Sequence, residues 1–225
     1  MKKRFAAKTA LAAAVVVGPV VGMSAGTADA TPVWGGAYAV AYPWWGTNAH
    51  WSNLQIAQAF GPSNLVNNVY AESSRGCWGC NALAVNVQVD LVSYASTPPN
   101  ESDVATVVDK GNGNDQNLAA AAMFVVTSPG RVSLSGSGWA QLGSIEWQLR
   151  SLNLKGTTVA AVQGTITSLL GQVVSILESD VTTSTPQTST AAGSPTTAVT
   201  PAVAPAVAPA ATSGVTVTSN IQFNS

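Results

Sequence analysis

Residues 81–93 read Asn-Ala-Leu-Ala-Val-Asn-Val-Gln-Val-Asp-Leu-Val-Ser. Val85, Val87, Val89 and Leu91 alternate with Asn86, Gln88 and Asp90. A period of two places one apolar and one polar face on a β-strand, so the reading is a half-buried strand. Upstream, Leu65–Glu72 reads as a partner strand, joined through Ser73–Cys80, whose Gly76 and Gly79 suit a hairpin loop. Downstream, Val104–Val108 is strand-like, and the loop from Asp109 to Asp115 carries an Asn-Gly pair that favours positive φ. Leu118–Val126 follows as a fourth strand, with four alanines that leave helix possible at its start. The two hairpins align at a shift of 36 residues, with Asn81, Ala84 and Val89 falling on Asn117, Ala120 and Val125. That match predicts an internal duplication.

On the N-terminal side, residues 31–62 hold Trp34, Trp44, Trp45 and Trp51 with Tyr38 and Tyr42, broken by Gly35, Gly36, Pro43 and Gly46. This segment predicts irregular structure or short strands, then a short helix near Ser52–Ala59 capped by Ser52. On the C-terminal side, after Pro129-Gly130, the period becomes helical. Trp139, Leu142, Ile145, Leu149 and Leu152 form one stripe, with Ser135 or Ser137 as N-cap and Lys155-Gly156 as the stop. A second helix starts after Thr157 or Thr158 and carries Val159, Val162, Ile166, Leu169, Leu170, Val173 and Leu177. The expected fold class is α+β: a small antiparallel sheet of two hairpins packed by a C-terminal helix pair, with a disordered Pro/Ala/Thr-rich tail.

The chain ends frame this domain. Lys2, Lys3, Arg4 and Lys8 precede an apolar run from Ala10 to Met23 and an Ala28-Asp29-Ala30 cleavage pattern. Residues 1–30 therefore read as a signal peptide and 31–180 as the globular domain, with a secreted or cell-wall-associated product. The apolar run is shorter than the roughly 20 residues a spanning helix needs and is broken by Gly18 and Pro19. No later segment is expected to cross a membrane. Residues 181–213 carry no charge and repeat Pro-Ala-Val-Ala, a low-complexity linker or stalk. In 214–225, Val215, Val217, Ile221 and Phe223 alternate with polar residues, which predicts a C-terminal strand needing a partner edge in its own sheet or in another molecule.

From Thr31 onward there are five basic and nine acidic residues, a net charge of −4. With no basic patch, nucleic acid and anionic membranes are not expected partners.

Two consecutive halves, each with a loop and an Ala/Val-rich strand, precede Gly130, Arg131, Val132 and Leu134 and an amphipathic helix. The matching positions are Cys77, Cys80, Ala82, Ala84 and Val89 in the first half and Asn117–Val126 in the second. This arrangement resembles uncharacterised secreted actinobacterial proteins, over about half the chain. The resemblance implies a compartment and a fold rather than an activity. Gly113 and Gln116 stand where related sequences can carry a second cysteine pair.

Few residues could carry chemistry. Cys77 and Cys80 are the only cysteines, and in an oxidising compartment such a pair is expected to close as a local disulfide. Thiol–disulfide exchange is the alternative, but no helix start follows Cys80 to stabilise a thiolate. Metal binding lacks ligands, because a closed zinc site wants four and the chain adds only His50. A single histidine also removes zincin proteases, and there is no G-x-S-x-G. Asp109 and Asp115 flank a Gly/Asn loop whose spacing does not fit an EF-hand, so a plain turn is favoured over calcium. No catalytic residue, metal or cofactor is expected. The remaining recognition candidates are Trp34, Trp44 and Trp45, since exposed indoles stack on sugars and anchor interfaces. The functional expectation is a non-catalytic structural or binding protein of the envelope or exterior, its partner a cell-wall glycan or envelope protein. The alternatives are a thiol–disulfide protein using Cys77 and Cys80, and a glycan-binding module using exposed tryptophan.

Overall fold

A computed structural model describes residues 32–43, 47–95, 99–184 and 215–225. Six long strands run through its first two-thirds: β1 (Pro32–Ala41), β2 (Asn48–Phe60), β3 (Asn64–Ser73), β4 (Asn81–Ser93), β5 (Asn100–Asp109) and β6 (Gln116–Ser128). Then come β7 (Arg131–Leu134), α1 (Gly136–Ser151), α2 (Val159–Asp180), β8 (Val181–Ser184) and β9 (Thr216–Asn224).

The strand pairing overturns the two-hairpin sheet. No strand pairs with its sequence neighbour among the first six. β1, β3 and β5 form one parallel sheet, and β2, β4 and β6 form a second, with β9 added antiparallel on β6. Each predicted hairpin is instead one coil of a solenoid: its first strand lies in one sheet, a corner follows, and its second strand returns in the other. Three coils stack, β1 with β2, β3 with β4, and β5 with β6. The fold is therefore mostly β, and the helices cover one sheet only. Ser52–Ala59, expected as a helix, lies in β2, and the alanine-rich Leu118–Val126 lies in β6.

Burial explains why. A hairpin sheet with one wet face needs its polar residues outside, yet β4 is buried on both faces, as parallel strands usually are. Leu83, Val85, Val87, Val89 and Leu91 pack with Leu118, Phe124 and Val126 beneath the helices, against Leu142, Ile145, Leu149, Ile166 and Leu170. The opposite face of β4 points between the sheets. There Ala82 and Ala84 meet Ala119, Ala121, Ala37, Ala39, Val69 and Ala71. Small side chains let the two sheets approach closely, so the alanines of β6 serve sheet packing rather than helix propensity.

The repeat is structural, with a correction to its register. Ser73 pairs with Asp109 and Asn64 with Asn100, at the shift of 36. In β4 and β6, however, Ala84 pairs with Ala119 and Val89 with Phe124. The corner before β6 is one residue shorter than the corner before β4. A one-residue slip exchanges the two faces of a strand, so the aligned sequence positions did not mark equivalent side chains.

Ser135 caps α1, accepting from Gly138 N at 3.0 Å, and Thr158 caps α2, accepting from Ala161 N at 3.2 Å. Asp180 at the end of α2 accepts hydrogen bonds from Ser135 and Ser137, tying the two helices together. Against expectation, α2 is long and apolar enough to span a membrane, with mean hydropathy 1.5. Here its apolar stripe, including Ile166, Leu170 and Val173, is buried on the sheet. Val181–Ser184, the first residues of the expected linker, form β8 and pair with β7. The signal-peptide residues 1–30 and most of the linker lie outside the described residues. β9 lies on the protein's own sheet, with Val217 and Phe223 against the core and Ile221 largely exposed.

Candidate functional site

The helices cover the outer face of the β2-β4-β6 sheet, while the outer face of the β1-β3-β5 sheet carries no second layer among the described residues. Parity decides what that bare face displays. In β1, Val33, Ala37 and Ala39 point to the interior, so Trp34, Gly36 and Tyr38 point outward. Trp34 is 60% exposed and Tyr38 63%, and Tyr42 just beyond the strand is 46% exposed. Residues four apart share one face, and at about 3.3 Å per residue successive rings stand about 13 Å apart. Parallel register adds a neighbour to the row, because Tyr38 pairs with Tyr70 and their rings stack at 5.1 Å with planes 10° apart. Across the sheet the row from Trp34 runs on to Val66 and then Ser102, and the row from Gly36 to Asn68 and then Val104. Gly36 leaves a trough between the rings. A Cβ there would lie 2.5 Å from the Asn68 carbonyl oxygen, so close strand approach demands glycine.

One ion pair borders this face. The Tyr70 hydroxyl donates to the Glu72 carboxylate, which also receives Lys110 Nζ at 2.8 Å. The Lys110 hydrogen bond, with help from Tyr70, holds the Glu72 carboxyl below its usual range. The same Glu72 contact, aided by burial, pushes the Tyr70 phenol up to about 12. At neutral pH the border therefore holds one neutralised ion pair beside an uncharged aromatic and amide surface.

The predicted site residues separate. Trp34 lies in this face, whereas Trp44 and Trp45 lie outside the described residues. Cys77 and Cys80 form a disulfide, with S–S 2.02 Å and Cα–Cα 5.7 Å, at the corner between β3 and β4. Both are fully buried. The corner of the next coil stacks on it: Asn112 N donates to Cys77 O and Gln116 N to Cys80 O, each at 2.8 Å. Asp115 accepts from Cys80 N at 2.7 Å, while Asp109 accepts from Ser73 Oγ at 2.7 Å and Gly111 N at 2.9 Å. The two aspartates thus fasten stacked corners. Gly113 and Gln116 sit in the same stack, bonded through backbone to Gly79 and Cys80.

His50 lies in β2, 2.7 Å from Ser52 Oγ, and burial lowers its pKa. Among the described residues no carboxylate hydrogen-bonds to it, so the elements of a triad do not meet there. No group of three or more His, Cys, Asp or Glu is placed to hold a metal among the described residues. Nothing in this arrangement points to catalysis.

A second cluster went unread in the sequence because its residues looked solvent-facing. Asn86, Gln88 and Asp90 are fully buried between the sheets, facing Asn67 and Asp103 of the other sheet. Asn86 Nδ2 donates to Asn67 Oδ1 at 2.8 Å, and Gln88 Nε2 to Asp90 Oδ2 at 2.9 Å. The Asn67 amide donates to the carbonyls of Asn86 and Ala122, so neither Asp103 oxygen receives a hydrogen bond despite that amide's proximity. Desolvation pushes both Asp90 and Asp103 up to about 7, with the Glu101 carboxylate adding to it. The signal for the missed tyrosines was the even spacing Trp34, Tyr38, Tyr42, which has meaning only once the segment is known to be a strand.

No protein-family model matches the sequence, no curated protein matches it, and no solved structure matches its fold.

Proposed function

We propose that this chain acts outside the cell as a non-catalytic binding scaffold whose bare, aromatic sheet face lies along an extended neutral polymer, a cell-wall glycan in chemical class. The row of Trp34, Tyr38 and Tyr42, on a sheet face that no other described residues cover, carries this reading. Several aromatic side chains gathered on one sheet face form a patch of the kind that marks an interaction site, and aromatic faces suit sugar rings. The parallel ladder fixes the rings by backbone register, so little ordering cost remains on binding. The neutral composition of the face favours an uncharged ligand over an anionic one. Export is supported by the N-terminal pattern and is consistent with the disulfide. The thiol–disulfide reading has weaker support, because both sulfurs are buried beneath stacked corners.

Sedimentation with insoluble purified cell wall and with microcrystalline cellulose tests the reading. Binding to either that falls at least tenfold in Trp34→Ala and Tyr38→Ala, with unchanged circular dichroism, is the expected result. Equal retention of wild type and both variants, or no retention of any, would sink it.

A further inference from the structure

The two ends of the solenoid differ. At the C-terminal end, β9 continues the covered sheet and reaches over the third coil: Thr218 Oγ1 donates to Glu101 at 3.0 Å and Asn224 Nδ2 to Ala105 O at 3.4 Å. The strand beneath, β5, also carries the exposed carboxylates Glu101 and Asp109, charges of the kind that blunt an edge. At the N-terminal end, β1 and β2 each have a single ladder neighbour among the described residues. Across their 10 and 13 residues neither has a Lys, Arg, Asp or Glu, and Pro32 at the first position is their one proline. Two long uncharged strands thus present an open row of backbone donors and acceptors at one end only.

The interior is open at the same end. In register, Asn53 stacks beside Asn86 and Gln55 beside Gln88. The second-coil amides are fully buried, whereas Asn53 and Gln55 are half-exposed and Trp51 is 41% exposed. Gln55 Nε2 reaches across to Trp34 O at 3.1 Å, bridging the two sheets at the mouth. An amide ladder gains from each further rung, and this one stops at the surface.

We infer that the N-terminal coil is an interface for a second copy of this chain, joined head to head. Stacking in one direction, coil upon coil, would place the N-terminal coil of one copy on the β9-capped end of the next, where β6 already has its partner. The closed head-to-head arrangement that sets like strand against like, and so keeps partners of equal length, is a two-fold axis perpendicular to both sheets. It pairs β1 with β1 and β2 with β2 of the second copy, antiparallel, the sense in which β9 already joins β6. Each sheet becomes continuous across the pair, the amides of Asn53 and Gln55 are covered, and the association stops at two. The bare aromatic faces then lie side by side as one surface, though the interface stands whether or not that surface binds glycan.

Analytical ultracentrifugation of the purified full chain over a wide concentration range, with hydrogen exchange at each end of that range, is the test. The expected mass is twice that of one chain, falling to one on dilution, with protection of the outward-pointing amides of β1 and β2 lost on dilution while that of β4 and β6 holds. Asn53→Lys places a charge in the mouth and should give the single-chain mass at all concentrations with an unchanged circular dichroism spectrum. Should that variant fail to fold, the dilution and exchange data on the native chain decide alone. A single-chain mass throughout, a series of larger assemblies, or protection of the outward-pointing amides of β1 and β2 that is independent of concentration would each overturn the inference, the last by showing that the chain covers its own edge.

Discussion

The Tyr38 ring lies flat on the Tyr70 ring, 5.1 Å between centroids, because parallel register sets residue against residue in successive coils. Stacking thus links two coils on the one sheet face that carries no covering layer among the described residues. Tyr70 in turn donates to Glu72, whose other oxygen receives Lys110. Tyr70 should therefore titrate near 12 in a spectrophotometric phenol titration, well above an unperturbed tyrosine. In Glu72→Gln its pKa should fall. A Tyr70 pKa unchanged by that substitution would show that the carboxylate is not its partner in solution. Tyr38→Ala should cost only about 1 kcal/mol of stability, the worth of an exposed aromatic pair.

The buried carboxyls predict an unusual pH response. Asp90 and Asp103 have folded pKa values of about 7 against 3.8 in the open chain. Between these values the folded protein holds more protons than the unfolded one, so stability falls as pH rises from about 4 to 7. The upper limit is about 4 kcal/mol per carboxyl. Asp90→Asn should raise the melting temperature at pH 8 and change it little at pH 4. A melting curve of the native chain that improves steadily from pH 4 to pH 8 would contradict this.

Loss of the disulfide should be felt locally. Its loop is short, so Cys77→Ser should cost roughly 2 kcal/mol rather than abolish folding. The backbone bonds of Asn112 and Gln116 to the same corner remain to hold the stack. Mass spectrometry of the unreduced native protein should find no free thiol.

Truncation of residues 215–225 should uncover the β6 edge and expose the core beside Val217 and Phe223. The melting temperature should drop by several degrees, and the freed edge should promote aggregation. An unchanged melting curve with no aggregation would show that β9 adds nothing to the fold.

How much of this was legible beforehand depended on the kind of interaction. Strand periodicity at Val85–Leu91, the helical stripes through Leu142 and Ile166, the cap positions narrowed to Ser135 or Ser137 and to Thr157 or Thr158, and the alternation in Val215–Phe223 are properties of neighbouring residues. They were readable because local geometry repeats at 2 or 3.6 residues. Pairing partners are not local. A corner of a few residues can fold a strand back beside its predecessor or send it to an opposite sheet, and nothing between Ser73 and Cys80 distinguishes the two. Only the tertiary structure decided that β3 pairs with β5 rather than with β4. That choice reversed the meaning of Asn86, Gln88 and Asp90, which alternate as solvent-facing residues would. They lie in the interior because the second sheet brings Asn67 and Asp103 against them, and polar groups can be buried where other polar groups face them. The same choice left the other side of β1 bare and so turned Trp34 and Tyr38 into a surface.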